Sequence, residues 1–238
     1  MILKTRSGQP CMILLKLGQK EHLEMLRKGL LHMNSLAYFT KLESDAARGD
    51  PYEGTDAILQ PCDIGEFLFD PHLPGMEPFH VNGAPDGLVG PVRFTLHRTS
   101  SCNIFCMFAV SKPVVGPVFS KKHEWPGDHF LLFTNTQEFF NRVVVAAKNH
   151  VLRVEGRAVE YYDGTKYSGQ TGRFRKRSVF SYQCEYRIVV EPGVDGPFPF
   201  EIGDLSDITS EVISRDLADD VLKFSPEDAV EAGLSWEN

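Results

Sequence analysis

Short apolar runs separated by polar connections set the pattern of this chain. Residues 11–17 alternate weakly and read as a buried strand. Residues 19–28 predict a helix, with Leu23, Leu26 and Leu30 at spacings of three and four and Gly29 as its stop. A second short strand follows over 30–34. From Val92 the texture turns to strands, over 92–97, 102–110 and 130–133. Thr134 is placed to cap a helix running to about Lys148, with Gln137 completing a capping box. Phe140, Val143, Val144 and Ala147 give that helix its apolar face. Residues 151–162 are β-rich, with a hairpin expected at Gly156. Further strands are expected over 183–190 and 198–202. Two short helices close the chain, the last starting at Ser225-Pro226-Glu227-Asp228.

The connections are equally legible. Residues 43–56 are acidic and turn-rich. Residues 71–91 carry five Pro and four Gly and predict a long surface connection. Residues 163–173 predict a flexible loop. No repeat and no linker divides the chain, so 1–238 reads as one α+β domain. Its central sheet is expected to be mostly antiparallel or mixed, with four to five helices.

Composition narrows the class. A chain of 238 residues buries roughly 70–75% of its unfolded surface, enough for one large core or two small ones. With 17 Phe against two Trp, that core is Phe-rich. The net charge of −7 excludes a surface that embraces nucleic acid all round, but leaves room for a local basic patch. The longest apolar run is about half of the roughly 20 residues a membrane-spanning helix needs, so no membrane partner is expected. The first ten residues hold Lys4 and Arg6 but no apolar core of a signal peptide. Cysteine is odd in number: Cys11, Cys62, Cys102, Cys106 and Cys184. Three of these sit in apolar runs, which suits reduced thiols and a cytoplasmic location.

Four constellations could carry chemistry. In the strand expected over 183–190, Gln183, Glu185, Arg187 and Val189 share one side. A carboxylate held there between an amide and a guanidinium is costly unless solvated, paired or functional. Either Glu185 pairs with Arg187, or it faces a substrate with Gln183. Thr99-Ser100-Ser101 opens a strand, where hydroxyls bind a ribose, phosphate or carboxamide, or satisfy a turn. Asp45, Asp50, Glu53 and Asp56 form an acidic stretch. Asp50 and Glu53, joined by Glu185, could hold Mg²⁺ in a nuclease or phosphoesterase; the alternative is a solvated loop. Arg173-Phe174-Arg175-Lys176-Arg177 could grip a phosphodiester backbone or simply lead into a strand. Cys102 and Cys106 lack metal spacing and read as core.

Two resemblances attach to these residues. The segment from Leu30 to Phe39, the strand at Cys102 and Glu185-Tyr186-Arg187-Ile188 loosely resemble a group of bacterial proteins associated with abortive phage infection. The order strand, helix and Gly-Leu turn from Ile13 to Leu31, the Thr99-Ser100-Ser101 strand start and Gln183-x-Glu185 resemble the ADP-ribosyltransferase superfamily. The second resemblance implies NAD as the bound dinucleotide. Glu185 would orient the nicotinamide-ribose hydroxyls and stabilise an oxocarbenium-like transition state, while Gln183 faces the acceptor. Thr99, Ser100 and Ser101 would shape the nicotinamide pocket. Such enzymes present an Arg or His from their first strand, where this chain offers Lys16, which lacks the planar fork. The function implied is transfer of ADP-ribose to a protein or nucleic acid by a toxin or defence effector. The alternatives are the Mg²⁺-dependent phosphoesterase and a non-enzymatic binding module whose contact surface is the basic run.

Overall fold

The computed structural model describes residues 2–5, 12–41, 50, 52–65, 67–69, 77, 79–81, 90–95, 102–110, 118–120, 123–222 and 234–237. Expectations at Thr99-Ser100-Ser101, at Asp45, at Ser225–Asp228 and over most of 71–91 lie outside these residues.

The fold is α+β around one eight-stranded sheet. In chain order the elements are β1 (Ile13–Gly18), α1 (Lys20–Arg27), β2 (Leu30–Ser35), α2 (Leu36–Lys41), β3 (Asn103–Val110), β4 (His129–Phe133), α3 (Thr136–Asn149), β5 (Arg153–Ala158), β6 (Glu185–Glu191), β7 (Phe198–Glu201), β8 (Ile213–Ser214) and α4 (Ala218–Leu222). The strands run in the order β5-β6-β3-β1-β4-β8, and every pairing is antiparallel. β2 joins β3, and β7 joins β2.

One detail of this sheet positions the site. β6 pairs with β3 from Asn103 to Phe108. On the opposite edge of β3, β1 takes Phe108, Ala109 and Val110, while β2 takes Asn103 and Ile104. Residues 105–107 are left between the two with no strand partner on that edge among the described residues. The sheet is therefore split there, and a split sheet leaves backbone groups that need another partner.

Alternation along the strands sorts the core into layers. Leu14, Phe105, Met107, Leu131, Phe133, Ile188 and Val190 face α1 and α3, where Leu23, Leu26, Phe139, Val143 and Ala147 meet them. The opposite face carries two separate apolar clusters. One joins Leu15, Leu17, Phe108, Val110 and Phe130 to Ala218 and Leu222 of α4. The other joins Ile104 and Val189 to Leu36, Cys102 and Phe174. Each fully buried Leu or Phe contributes about 1.5–3 kcal/mol, so both faces are needed for stability.

Two local expectations are corrected. The cap of α3 is Asn135, whose side chain accepts the Glu138 N–H at 3.0 Å, so the helix starts at Thr136 rather than after Thr134. No hairpin forms at Gly156. β5 runs straight through it opposite Ile188, with the Tyr186 hydroxyl 2.9 Å from where a Cβ would stand. Hydrogen bonds tie residues 163–173 to residues 57–60: Gln60 Nε2 donates to the carbonyls of Gly164 and Tyr167, and Gly169–Gln170 pairs with Ala57–Leu59. Ala57–Leu59 in turn pairs with Val92–Phe94, and Glu160–Tyr162 lies parallel to Arg175–Arg177.

Candidate functional site

β6 begins at Glu185, two residues later than its apolar pattern suggests. Residues Ser178–Gln183 form a 3₁₀ turn, and Cys184 leaves it with a left-handed backbone, φ 40° and ψ 51°. A non-glycine residue in that region carries strain and reverses the chain locally. Gln183 thus does not share a strand face with Glu185; it reaches the same place through Lys176. The Glu185 N–H donates to the Tyr161 hydroxyl at 2.8 Å and fixes the start of the strand.

Four charges meet on the sheet face between the two apolar clusters. Arg187 holds Glu53 with both terminal nitrogens, Nη1 to Oε1 at 2.6 Å and Nη2 to Oε2 at 3.0 Å. Nη2 also donates to Glu185 Oε2 at 3.0 Å, and Nη1 donates to the Arg173 carbonyl at 2.6 Å. Lys176 Nζ lies 3.5 Å from Glu185 Oε2 and 3.7 Å from Glu53 Oε2, and donates to Gln183 Oε1 at 2.7 Å. The side chains of Arg187, Glu53, Lys176 and Glu185 are only 1%, 2%, 4% and 9% exposed. Two cations and two carboxylates make this group neutral as a whole, which is what allows its burial.

Burial alone would raise the Glu185 pKa, but Arg187 and then Lys176 outweigh it and hold the carboxyl down to about 2. Burial works against the charge of Lys176 as well, yet Glu185 and Glu53 leave its pKa above the ordinary value. The same balance keeps Arg187 well above its own. Opposite Arg187 on β3 stands Cys106. Burial, reinforced by the Glu185 charge, pushes its thiol pKa far up, so it stays protonated and donates toward Glu185.

The split in the sheet opens into a cavity of about 470 Å³. Its lining includes the polar group Glu53, Lys176, Gln183, Glu185 and Arg187 together with Leu26, Leu30, His32, Tyr38 and Phe39. Lys16 lines it as well. By alternation with Leu14, Lys16 stands on the helix-packed face. Its Nζ lies 4.7 Å over the Phe105 ring and donates at 2.7 Å to the Cys106 carbonyl, in the stretch of β3 that lacks a strand partner. Lys16 and Glu185 rise from opposite faces of the sheet, and both line the cavity.

Glu124, Trp125, Pro126 and Gly127 complete the lining as its rim. Trp125 packs on Phe108 and Tyr182, its indole donates to the Ser120 carbonyl, and His123 stacks on Tyr182 at 3.7 Å. Gly127, at φ +76°, approaches so near to Gly18 that a Cβ would lie 2.1 Å from the Gly18 carbonyl carbon.

No protein-family model, curated protein or solved structure matches this chain. The functional argument therefore rests on the residues themselves.

Of the positions singled out in the sequence, Lys16, Glu53, Lys176, Gln183 and Glu185 line the one cavity. Of the four cations in the basic run, Lys176 alone does so. Arg173 pairs with Glu191, Arg175 with Glu160 at 2.8 Å, and Arg177 with Asp50 at 2.9 Å. Arg177 also lies over the Tyr52 ring. For the Mg²⁺ reading, the Glu53 and Glu185 carboxylates are close, since both lie 3.0 Å from the same Arg187 nitrogen. Arg187 and Lys176 occupy the positions between them, and Asp50 is engaged by Arg177 and the Tyr52 N–H. Among the described residues no group of three or more His, Cys, Asp or Glu could hold a metal ion. Nor is any helix among them long and apolar enough to cross a membrane.

Sequence reasoning missed Tyr38 and Trp125, and its reading of Cys106 as core, which the packing beside Ile104 and Val189 bears out, did not place that residue in the cavity lining. Cys106 alternates with core residues, and nothing local announces the gap beside it.

Proposed function

We propose that this chain is an ADP-ribosyltransferase-like enzyme that binds NAD in the split-sheet cavity and acts on a macromolecular target, protein or nucleic acid. The observation that carries the reading is convergence. Lys16, far in sequence from Gln183 and Glu185, lines one cavity with them, and that cavity also has aromatic lining from Tyr38, Phe39 and Trp125. Aromatic and apolar walls with a few convergent polar groups suit a ligand of planar rings and sugars.

NAD, when bound, supplies an ADP-ribosyl group whose anomeric carbon exchanges the nicotinamide nitrogen for a nucleophile on the target. Glu185, ionised at neutral pH, accepts a hydrogen bond from a ribose hydroxyl and offsets positive charge developing on the sugar. Lys176 fixes Gln183 by its carbonyl oxygen, because an ammonium can only donate. Lys16 adds a cation to the cavity lining, a charge suited to a pyrophosphate.

Incubation with labelled NAD and whole-cell lysate tests the proposal. Label transfer or nicotinamide release is expected, reduced at least about a hundredfold in Glu185→Gln, the scale of losing one electrostatic stabiliser. Neither transfer nor release, with Glu185→Gln indistinguishable from wild type, rejects it. The ion pairing of Glu185 with Arg187 favours a second reading, a binding module without turnover. Its mark is NAD binding with no nicotinamide released.

A further inference from the structure

β5 is the long open edge of the central sheet. It pairs with β6 on one side and, among the described residues, with no strand on the other. Every residue of it but Val154 is exposed. The opposite edge, β8, is only two residues long. Proteins commonly blunt a long edge with proline, lysine or a bulge, because its outward N–H and C=O groups accept another strand. β5 has no proline, no lysine and an unbroken register against β6.

The ladder fixes which groups face outward. The Val159 N–H donates to the Glu185 carbonyl at 2.8 Å. Alternation then turns the backbone groups of Arg153, Glu155 and Arg157 toward β6. Those of Val154, Gly156 and Ala158 point away from the sheet, with no partner among the described residues. Side chains alternate too: Val154 packs on the helix-side core, while Glu155 and Arg157 lie on the other face. These two form an ion pair of 3.0 Å and are 53% and 59% exposed.

A second copy of β5 fits this edge, antiparallel about a twofold axis at Gly156. Gly156 then exchanges both hydrogen bonds with its own copy, and Val154 exchanges both with Ala158 of the second copy. Every outward group is used. Glu155 faces Arg157 of the second copy, twice over, in the closely spaced pairs that are not hydrogen-bonded. With the ion pair along each strand, charge alternates around four corners. An axis at Glu155 or at Arg157 sets like charges face to face instead, so the sequence selects one register.

We infer that the β5 edge is a homodimer interface. Two copies join their sheets through the backbones of Val154, Gly156 and Ala158, and Glu155 and Arg157 set the register. This does not depend on the NAD reading.

Sedimentation equilibrium of the intact chain tests it, up to about 100 µM, above the micromolar affinity of modest interfaces. The mass is expected to rise from 26.8 kDa toward twice that value. Glu155→Arg and Arg157→Glu each set like charges opposite and should weaken the dimer at least about tenfold. Mixing the two single variants, or combining both changes in one chain, restores opposite charges and should restore the dimer. Ala158→Pro removes an outward N–H that β6 does not use, and should weaken the dimer as well. In the wild type, hydrogen exchange at the Val154, Gly156 and Ala158 N–H groups should slow as concentration rises. A wild type that keeps monomer mass throughout overturns the inference. So does a dimer that the single variants leave intact, or one not recovered on mixing folded single variants. Should a variant fail to fold, the exchange measurement decides alone: rates independent of concentration at these three groups overturn the inference.

Discussion

Glu53 is the residue on which the stability of the cluster turns. It takes both terminal nitrogens of Arg187, and the pair is almost fully buried. Removing one member of such a pair leaves a charge in a low-dielectric site, which costs more than the pair contributes. Glu53→Gln is expected to lower the unfolding free energy by about 3–5 kcal/mol, read from the urea midpoint. Glu185 makes a separate prediction about pH. Its folded pKa lies below its unfolded one, so the folded chain binds fewer protons at that site. The stabilisation is present above the unfolded pKa and is lost as pH falls toward about 2. The thermal midpoint should therefore decline between roughly pH 5 and pH 2, with a shallower decline in Glu185→Gln. Lys176 has the opposite sign: its raised folded pKa puts its loss at alkaline pH, above the ordinary lysine range.

At the scale of elements, local pattern reached most of the sheet. α1, β2, β3, β4 and β7 lie within one or two residues of their sequence boundaries, because each is specified by its own periodicity and stop signals. The failures are of another kind. Gly156 looks like a turn only if one does not know that β5 pairs along its length with β6. The strand expected from Gln183 starts late, at Glu185, because Cys184 turns left-handed, a choice with no signature in residue type. The site was legible in its polar members, since Lys16 and Glu185 interrupt apolar strands, Gln183 stands beside Glu185, and Glu53 and Lys176 lie in an acidic and a basic run. What brings them together was not legible, because the split between β1 and β2 is a property of register. The rim supplies a test at this scale. Gly127→Ala must adopt a left-handed φ and also displace the Gly18 backbone. The conformation alone costs about 1–3 kcal/mol. A lowered thermal midpoint is expected together with weakened NAD binding, since Gly18, Trp125 and Gly127 all line the cavity.

For the molecule as a whole, the neutral cluster divides one sheet face into two apolar halves, a poor arrangement if stability were the only demand. Filling the same volume with hydrocarbon would join the two clusters and remove four desolvated charges. Buried ion groups replaced entirely by apolar side chains are often neutral or gain about 1–4 kcal/mol, whereas single removals are severe. The four sites touch one another, so their effects are not additive, and the combined variant cannot be judged from the single ones. The variant Glu53→Met, Lys176→Met, Glu185→Met, Arg187→Met is therefore expected to unfold within about 2 kcal/mol of wild type, or later, in urea. That places it well above Glu53→Gln alone. It is also expected to lose NAD binding altogether, since the charged group in the cavity lining is gone. Retained stability with lost binding would identify the cluster as a functional device held at a cost to the fold. A collapse in stability as deep as that of the single variant would instead make the four charges structural, and with them the case for Glu185 as a catalytic group would fail.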